Sequence, residues 1–104
     1  MYIFGGDNYK TLESCEKWEE GEWKALPNNL TEARDWVSCT LLKDLIYIAG
    51  NKVTAIDEFD LSTEIIRKLD LTIKSDNSTL AAWGNCIYSF QTNDVKKYSV
   101  NTDD

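Results

Sequence analysis

The chain has 104 residues, of which 42% are hydrophobic and 12% aromatic, and its formal net charge is −7. This length and composition suit one small folded domain and exclude a disordered or low-complexity chain. Because 18 acidic residues outnumber 11 basic ones, the surface repels polyanions, and neither nucleic acid nor a membrane is expected as a partner.

Ten short strands are predicted in chain order, and no segment has a sustained helical period. Two-residue turns, at Lys43 and Asp44 and at Gly84 and Asn85, each separate two apolar strands, as in tight hairpins. The predicted strands are residues 1–6, 14–18, 22–26, 37–42, 45–50, 55–59, 64–69, 79–83, 86–91 and 95–100. The sequence therefore predicts an all-β fold.

The strands recur as a repeated unit. Residues 1–6, 46–51 and 87–92 each begin with an apolar residue and a tyrosine, at positions 2, 47 and 88, so the tyrosines lie 45 and 41 residues apart. A period of this size indicates a repeat architecture. Each complete unit has four antiparallel strands, the first apolar and the fourth more charged, which is typical of a β-propeller blade.

The units divide the chain into a single repeat region, 1–104, with three parts. Residues 1–28 are predicted as a partial blade without its first strand, residues 34–70 as a full blade, and residues 78–104 as a partial blade without its fourth strand. The prediction is thus a partial propeller of about two and a half blades. A closed propeller has four or more blades, so the chain is expected to be part of a longer protein, a truncated product, or one component of an oligomer.

The first unit resembles the kelch repeat, which carries a tyrosine, a glycine pair, a tryptophan and an arginine in this order. The matching residues are Tyr2, Gly5, Gly6, Trp23 and Arg34. The resemblance covers nearly the whole chain and weakens along it. The second unit keeps Tyr47 and Gly50 but has Asn51 and Ile66 at the places of the second glycine and the tryptophan, and the third keeps Tyr88 but has Gln91, Thr92 and Ser75 at the places of the glycines and the arginine.

The resemblance implies mainly structural roles for these residues. Glycines at this position permit positive φ and close contact between blades. The aromatic residues Trp18, Trp23, Phe59 and Tyr98 are expected to pack between blades. Arg34 is expected to be a buried hydrogen-bonding strut, with contact to a partner as the alternative.

The resemblance also implies the function of a non-enzymatic protein–protein interaction scaffold. Long loops on a rigid scaffold are where binding usually occurs, and the longest predicted loops, 7–12, 28–35 and 70–78, leave the blades on one face. Tyr9 and Trp36 are the candidate anchors on that face, with packing between blades as the alternative for Trp36. The protein partner itself is not specified by any motif.

Two other functions remain open at this point. One is a truncated or degenerate kelch remnant without an independent role, which the weakening repeat favours. The other is a fragment of an enzyme similar to galactose oxidase. That copper enzyme uses histidine ligands, and the chain contains no histidine, so no enzyme activity and no cofactor are expected.

The cysteine pattern predicts free thiols and no metal. Cys15, Cys39 and Cys86 are an odd number without a CxxC pair, which is a poor disulfide or zinc framework. The first residues lack the basic and apolar segments of a signal peptide. A reducing, cytoplasmic location is therefore expected.

Overall fold

The computed structural model describes residues 1–7, 11–34, 37–50, 53–72, 79–91 and 94–99. These residues contain ten strands and no helix, so none of them forms a helix with the length and apolar character of a membrane span. The all-β prediction is confirmed. The strands are β1 (Tyr2–Asp7), β2 (Thr11–Glu19), β3 (Glu22–Ala25), β4 (Ser38–Leu42), β5 (Leu45–Gly50), β6 (Val53–Asp60), β7 (Ile66–Thr72), β8 (Thr79–Trp83), β9 (Cys86–Gln91) and β10 (Asp94–Ser99).

The strands form three antiparallel sheets in chain order. The first sheet is β1-β2-β3, the second is β4-β5-β6-β7, and the third is β8-β9-β10. Every pairing joins strands that follow one another along the chain. This meander arises because short turns connect consecutive strands, which makes antiparallel neighbours the nearest partners.

The predicted strand ends were accurate where a tight turn marks them and too short where a ladder continues. Strands 45–50, 79–83 and 86–91 match β5, β8 and β9. By contrast, β1 ends one residue later than predicted, at Asp7, and β2 begins earlier, at Thr11. Their ladder is longer because Gly6 pairs with Leu12 and Asp7 with Thr11. β7 likewise runs to Thr72, beyond the predicted end at residue 69.

The glycine pair lies at the end of β1, as predicted, and both residues have positive φ. Gly5 has φ 62° and Gly6 has φ 118°. The register of β1 against β2 shifts between Phe4 and Gly6, so the pair forms a bulge. The Gly6 N–H donates a 2.7 Å hydrogen bond to the carbonyl oxygen of Arg34. The bulge therefore fastens the connection from β3 to β4 to the end of β1.

The second sheet is covered on both faces. One face packs against the first sheet through Ile48 and Phe59, and the other packs against the third sheet through Tyr47, Ala49 and Ile56, all of them 0% exposed. The alternation of β5 and β6 sends neighbouring residues to opposite faces. The partners from the flanking segments are Phe4, Cys15, Leu26 and Leu30 on one side and Leu80 and Ile87 on the other.

The first strands of the second and third sheets lie side by side. β4 contacts β8, and the Leu80 N–H donates a 2.9 Å hydrogen bond to Oγ of Ser38. This contact joins two sheets that share no strand ladder among the described residues. The two sheets are thus closest at β4 and β8, the first strand of each.

The expected packing of four aromatic residues between sheets holds for only two of them. Phe59 is fully buried, and Tyr98 packs against the cluster between the second and third sheets. Trp18 and Trp23 instead remain 47% and 40% exposed and contact each other edge to face, with ring centroids 5.3 Å apart. The reason is that they lie on the face of the first sheet that points away from the second.

Burial of Cys15 between the first two sheets gives a testable consequence. Burial raises the pKa of the Cys15 thiol to about 11, which leaves roughly 0.1% thiolate at pH 8. We expect iodoacetamide at pH 8 to alkylate Cys86 before Cys15, because the thiolate is the reacting form and Cys86 is only partly covered. Peptide mass spectrometry after a time course checks the order, and modification of Cys15 first would contradict the packing of these two sheets.

Candidate interaction surface

The two ends of the sheets differ in their connections. At one end, turns join consecutive strands through Gly21, Lys43, Glu64 and Gly84, all of which have positive φ. At the other end, β1, β3, β5, β7 and β9 finish and β2, β4, β6, β8 and β10 begin. We call this second end the connection end, and it is where the sequence predicted partner binding.

The predicted loops and anchors of the connection end are only partly described. Tyr9 and Trp36 lie outside the described residues. The predicted loop 7–12 is shorter than expected, because β1 and β2 include all of it except residues 8–10. The predicted loop 70–78 is shortened in the same way by the end of β7 at Thr72.

The connection from β3 to β4 is the best described part of this end. Its backbone follows the edge of β2, since Leu26, Leu30 and Arg34 donate N–H hydrogen bonds of 2.8–2.9 Å to carbonyls of that strand. Its polar side chains Asn28, Asn29, Thr31 and Glu32 are exposed. A hydrogen-bonded edge with exposed polar side chains gives a surface of defined shape.

Arg34 lies at the base of this connection and is 0% exposed. Its Nη1 donates a 2.7 Å hydrogen bond to the carbonyl of Ala55, and its Nη2 lies 3.2 Å from Oδ1 of Asp57, without hydrogen-bond geometry. Asp57 is also 0% exposed and accepts hydrogen bonds from the N–H, at 2.8 Å, and the hydroxyl of Thr31. Arg34 and Asp57 form a buried ion pair, and the hydrogen bonds from the exposed Thr31 to Asp57 fix the connection to β6.

Two glycines make room for Arg34. A Cβ atom on Gly50 would lie 2.7 Å from Cβ of Arg34, and one on Gly5 would lie 2.5 Å from the Arg34 carbonyl oxygen. Gly50 does not have positive φ, so its requirement is space alone. The glycines and Arg34 therefore act together, and the interpretation of Arg34 as a strut agrees with its burial. A fully buried side chain has no surface for a partner to contact.

The junction of the first two sheets has an aromatic and an ionic part. Phe59 contacts Tyr2 and Phe4 edge to face, with centroids 5.1 and 5.2 Å apart. Oε2 of Glu64 pairs with Nζ of Lys17 at 2.8 Å and accepts a 3.1 Å hydrogen bond from the Tyr2 hydroxyl. Burial and this carboxylate raise the pKa of Tyr2. Tyr2 thus contacts the second sheet through both its ring and its hydroxyl.

The other two repeat tyrosines occupy equivalent positions. Tyr2, Tyr47 and Tyr88 pair across their hairpins with Lys17, Glu58 and Lys97. Tyr47 is buried against the third sheet, and burial, followed by the nearby Glu58 carboxylate, raises its pKa. Tyr88 lies between the buried Ile87 and Ser89 in β9, so its side chain is on the opposite face of the third sheet from theirs. Each tyrosine therefore faces away from the preceding sheet.

Both ends of the three-sheet stack expose large apolar side chains, a feature that sequence reasoning missed. The outer face of the first sheet carries Ile3, Trp18 and Trp23, which are 45%, 47% and 40% exposed. The outer face of the third sheet carries Tyr88 together with Trp83, Phe90 and Val95, which are 78%, 43% and 57% exposed. Contiguous exposed apolar residues of this kind indicate interaction surfaces.

Comparison with protein-family models and with curated protein sequences gives no match. Within the described part of the chain, no three Cys, Asp or Glu side chains group as ligands for a metal ion.

Proposed function

We propose that this chain is a non-enzymatic protein–protein interaction scaffold of the kelch-repeat type and that its three sheets are blades of a larger β-propeller. The observation that carries the proposal is the stacking of the sheets in chain order, in which equivalent strands present equivalent faces. The second sheet is covered by the first and the third through residues at alternate positions of the same strands. Consecutive sheets stacked in this way are what blades require.

The cluster of Arg34, Asp57 and Thr31 supports a scaffold role for the connection end. It holds the base of the connection from β3 to β4 while Asn28, Asn29 and Glu32 stay exposed. A binding loop on a rigid base loses less conformational entropy when it binds a partner. The proposed partner is a protein that docks on the connection end.

The third sheet bears on the proposal of a degenerate remnant. Its sequence lacks the glycine pair and the arginine of the first unit, yet β9 pairs with β10 along its whole length and with β8 from Cys86 to Phe90. The sheet also buries Leu80 and Ile87 against the second sheet. Loss of the repeat residues has left the strand order and the packing in place, which favours the scaffold.

The test is a comparison of two variants of the full-length protein in a partner pull-down. We expect Tyr9→Ala to reduce capture of the partner, because Tyr9 is the aromatic residue predicted on the connection end and aromatic residues dominate interface energetics. Asn85→Ala is the matched control, since Asn85 is exposed in the turn between β8 and β9 at the opposite end. Capture is quantified by mass spectrometry, with circular dichroism as the check on folding.

The opposite pattern would defeat the proposed binding face. If Asn85→Ala lost the partner and Tyr9→Ala retained it, the partner would dock at the turn end, and the connection end would have only a structural role.

A further inference from the structure

The internal junction of the first two sheets shows how one sheet of this chain receives the next. On the receiving side, Tyr2 and Phe4 stack with ring centroids 6.0 Å apart, and Lys17 lies across the hairpin from Tyr2. On the entering side, Phe59 inserts against both rings and Glu64 pairs with Lys17. The first sheet thus contributes two aromatic rings and a cation to the junction, and the second contributes one aromatic ring and an acid.

The outer face of the third sheet repeats the receiving side. Tyr88 and Phe90 are in ring contact with centroids 6.4 Å apart, and Lys97 lies across the hairpin from Tyr88. The tyrosine registers place Phe90 and Lys97 at the positions of Phe4 and Lys17. The third sheet thus has the two aromatic rings and the lysine of the receiving side, and its Phe90 is 43% exposed.

Two further positions agree with this equivalence. The same registers place Trp83 and Val95 of the third sheet at the positions of Leu42 and Ile56 in the second. Leu42 and Ile56 are 7% and 0% exposed where the second sheet meets the third, whereas Trp83 and Val95 are 78% and 57% exposed. The outer face of the third sheet therefore has the apolar residues of a sheet junction without the covering sheet.

The outer face of the first sheet repeats the entering side. Trp18 pairs with Trp23 across the β2-β3 hairpin as Phe59 pairs with Ile66 across the β6-β7 hairpin, so Trp18 stands at the position of Phe59. The turn equivalent to the one that holds Glu64 contains an acid, Glu20, whose side chain is 82% exposed and lies 3.7 Å from Lys24. The next acid, Glu22, pairs with Glu19 and so lies on the opposite face of the sheet from Trp18. An aromatic residue and an acid are thus available at the places of Phe59 and Glu64.

We propose that the outer face of the third sheet binds the outer face of the first sheet of a second copy of this chain, head to tail. Trp18 of one copy inserts against Tyr88 and Phe90 of the other, and Lys97 pairs with Glu20. The inference rests on the repeat arrangement of the proposed function. Two copies bring six sheets together, within the range of about 4–8 blades in closed propellers, whereas three copies would exceed it. The expected assembly is a closed dimer with two identical junctions.

The experiment is sedimentation velocity of the 104-residue chain at about 50 µM, where an interface of micromolar affinity is largely occupied. We expect a particle of twice the 11.9 kDa chain mass. Trp18→Glu and Phe90→Glu should each weaken dimerisation by about tenfold or more, because each buries an unpaired charge at the junction. Ile65→Glu is the matched control, since Ile65 is 57% exposed and lies outside both faces. Trp23→Glu and Trp83→Glu replace any variant that fails to fold by circular dichroism.

An equimolar mixture of Trp18→Glu and Phe90→Glu decides the head-to-tail geometry. One junction in the mixed pair joins two unaltered faces, so we expect the mixture to associate more tightly than either variant alone. If the dimer persists with one of the two substitutions, the substituted face is not in the interface. Two identical faces would then meet in the dimer, which would overturn the proposal. A monomeric unsubstituted chain would also overturn it and would leave another polypeptide segment or protein as the cover.

The failure of this inference is distinguishable from the failure of the proposed function. The pull-down reports on the connection end, whereas sedimentation reports on the two outer faces. If the chain is monomeric but Tyr9→Ala still abolishes partner capture, only the dimer proposal is refuted. If the chain forms the expected dimer but Tyr9→Ala has no effect on capture, only the proposed binding end is refuted.

Discussion

Asp57→Ala is expected to lower the free energy of unfolding by about 3–5 kcal/mol, because it leaves a buried cation without its carboxylate. Arg34 and Asp57 are both 0% exposed, and Nη2 lies 3.2 Å from Oδ1. The substitution also removes the acceptor of both hydrogen bonds from Thr31. Urea unfolding followed by tryptophan fluorescence measures the loss.

A double-mutant cycle separates the ionic interaction from simple loss of volume. Because an apolar pair can replace a buried ion pair at little cost, Arg34→Met with Asp57→Leu should lose less stability than the two single changes added together. Lys68→Ala is the matched surface control, since its partner Glu32 lies 3.3 Å away and the two side chains are 52% and 47% exposed. It should change stability by about 1 kcal/mol or less. Additive losses in the cycle would contradict the coupling of Arg34 and Asp57.

Gly5→Ala is expected to destabilise the protein by about 2–5 kcal/mol through two separate effects. The positive φ of 62° is unfavourable for a residue with a side chain. A Cβ atom would also lie 2.5 Å from the Arg34 carbonyl oxygen and 3.1 Å from that of Leu12. Both atoms belong to hydrogen-bonded backbone, so neither can move without lengthening a contact with β1 or the β3–β4 connection. Thermal and urea unfolding measure the change.

Two other glycines separate backbone strain from the steric contact. Gly21 has φ 81° and Gly6 has φ 118°, and a Cβ atom on either would meet no atom within 4 Å. Gly21→Ala should therefore lose only the strain component, about 1–2 kcal/mol. Gly6→Val should lose roughly 1–3 kcal/mol, and an unchanged melting temperature would count against the kelch resemblance. Equal losses for Gly5→Ala and Gly21→Ala would show that the contact with Arg34 is unimportant.

The strand prediction succeeded because its signals are local. Lys43 and Gly84 each have positive φ in the tight turns that the residue pairs indicated. The alternation of β5 and β6 is likewise visible within a few residues. The predicted ends failed at Asp7, Thr11 and Thr72, because the length of a ladder depends on the partner strand as well as on the strand itself.

The candidate site was less predictable than the strands. Asp57 was only one of several carboxylates in the sequence, and its role follows from contact with Arg34 and Thr31 in another segment. The exposure of Trp18 and Trp23 was missed for a related reason. Their residue types and spacing suit packing between sheets, but whether a sheet covers them is decided by the tertiary arrangement.

The sequence by itself determined the all-β class, the order of ten strands and the positive φ at the glycine pair, because turn chemistry, alternation and the lack of a glycine side chain act over a few residues. Only the tertiary structure decided that Gly5 and Gly50 border Arg34, that Asp57 is its ionic partner, and that two aromatic sheet faces stay uncovered. These features depend on contacts between segments distant in the chain, and burial is a property of the packed sheets that no single strand specifies.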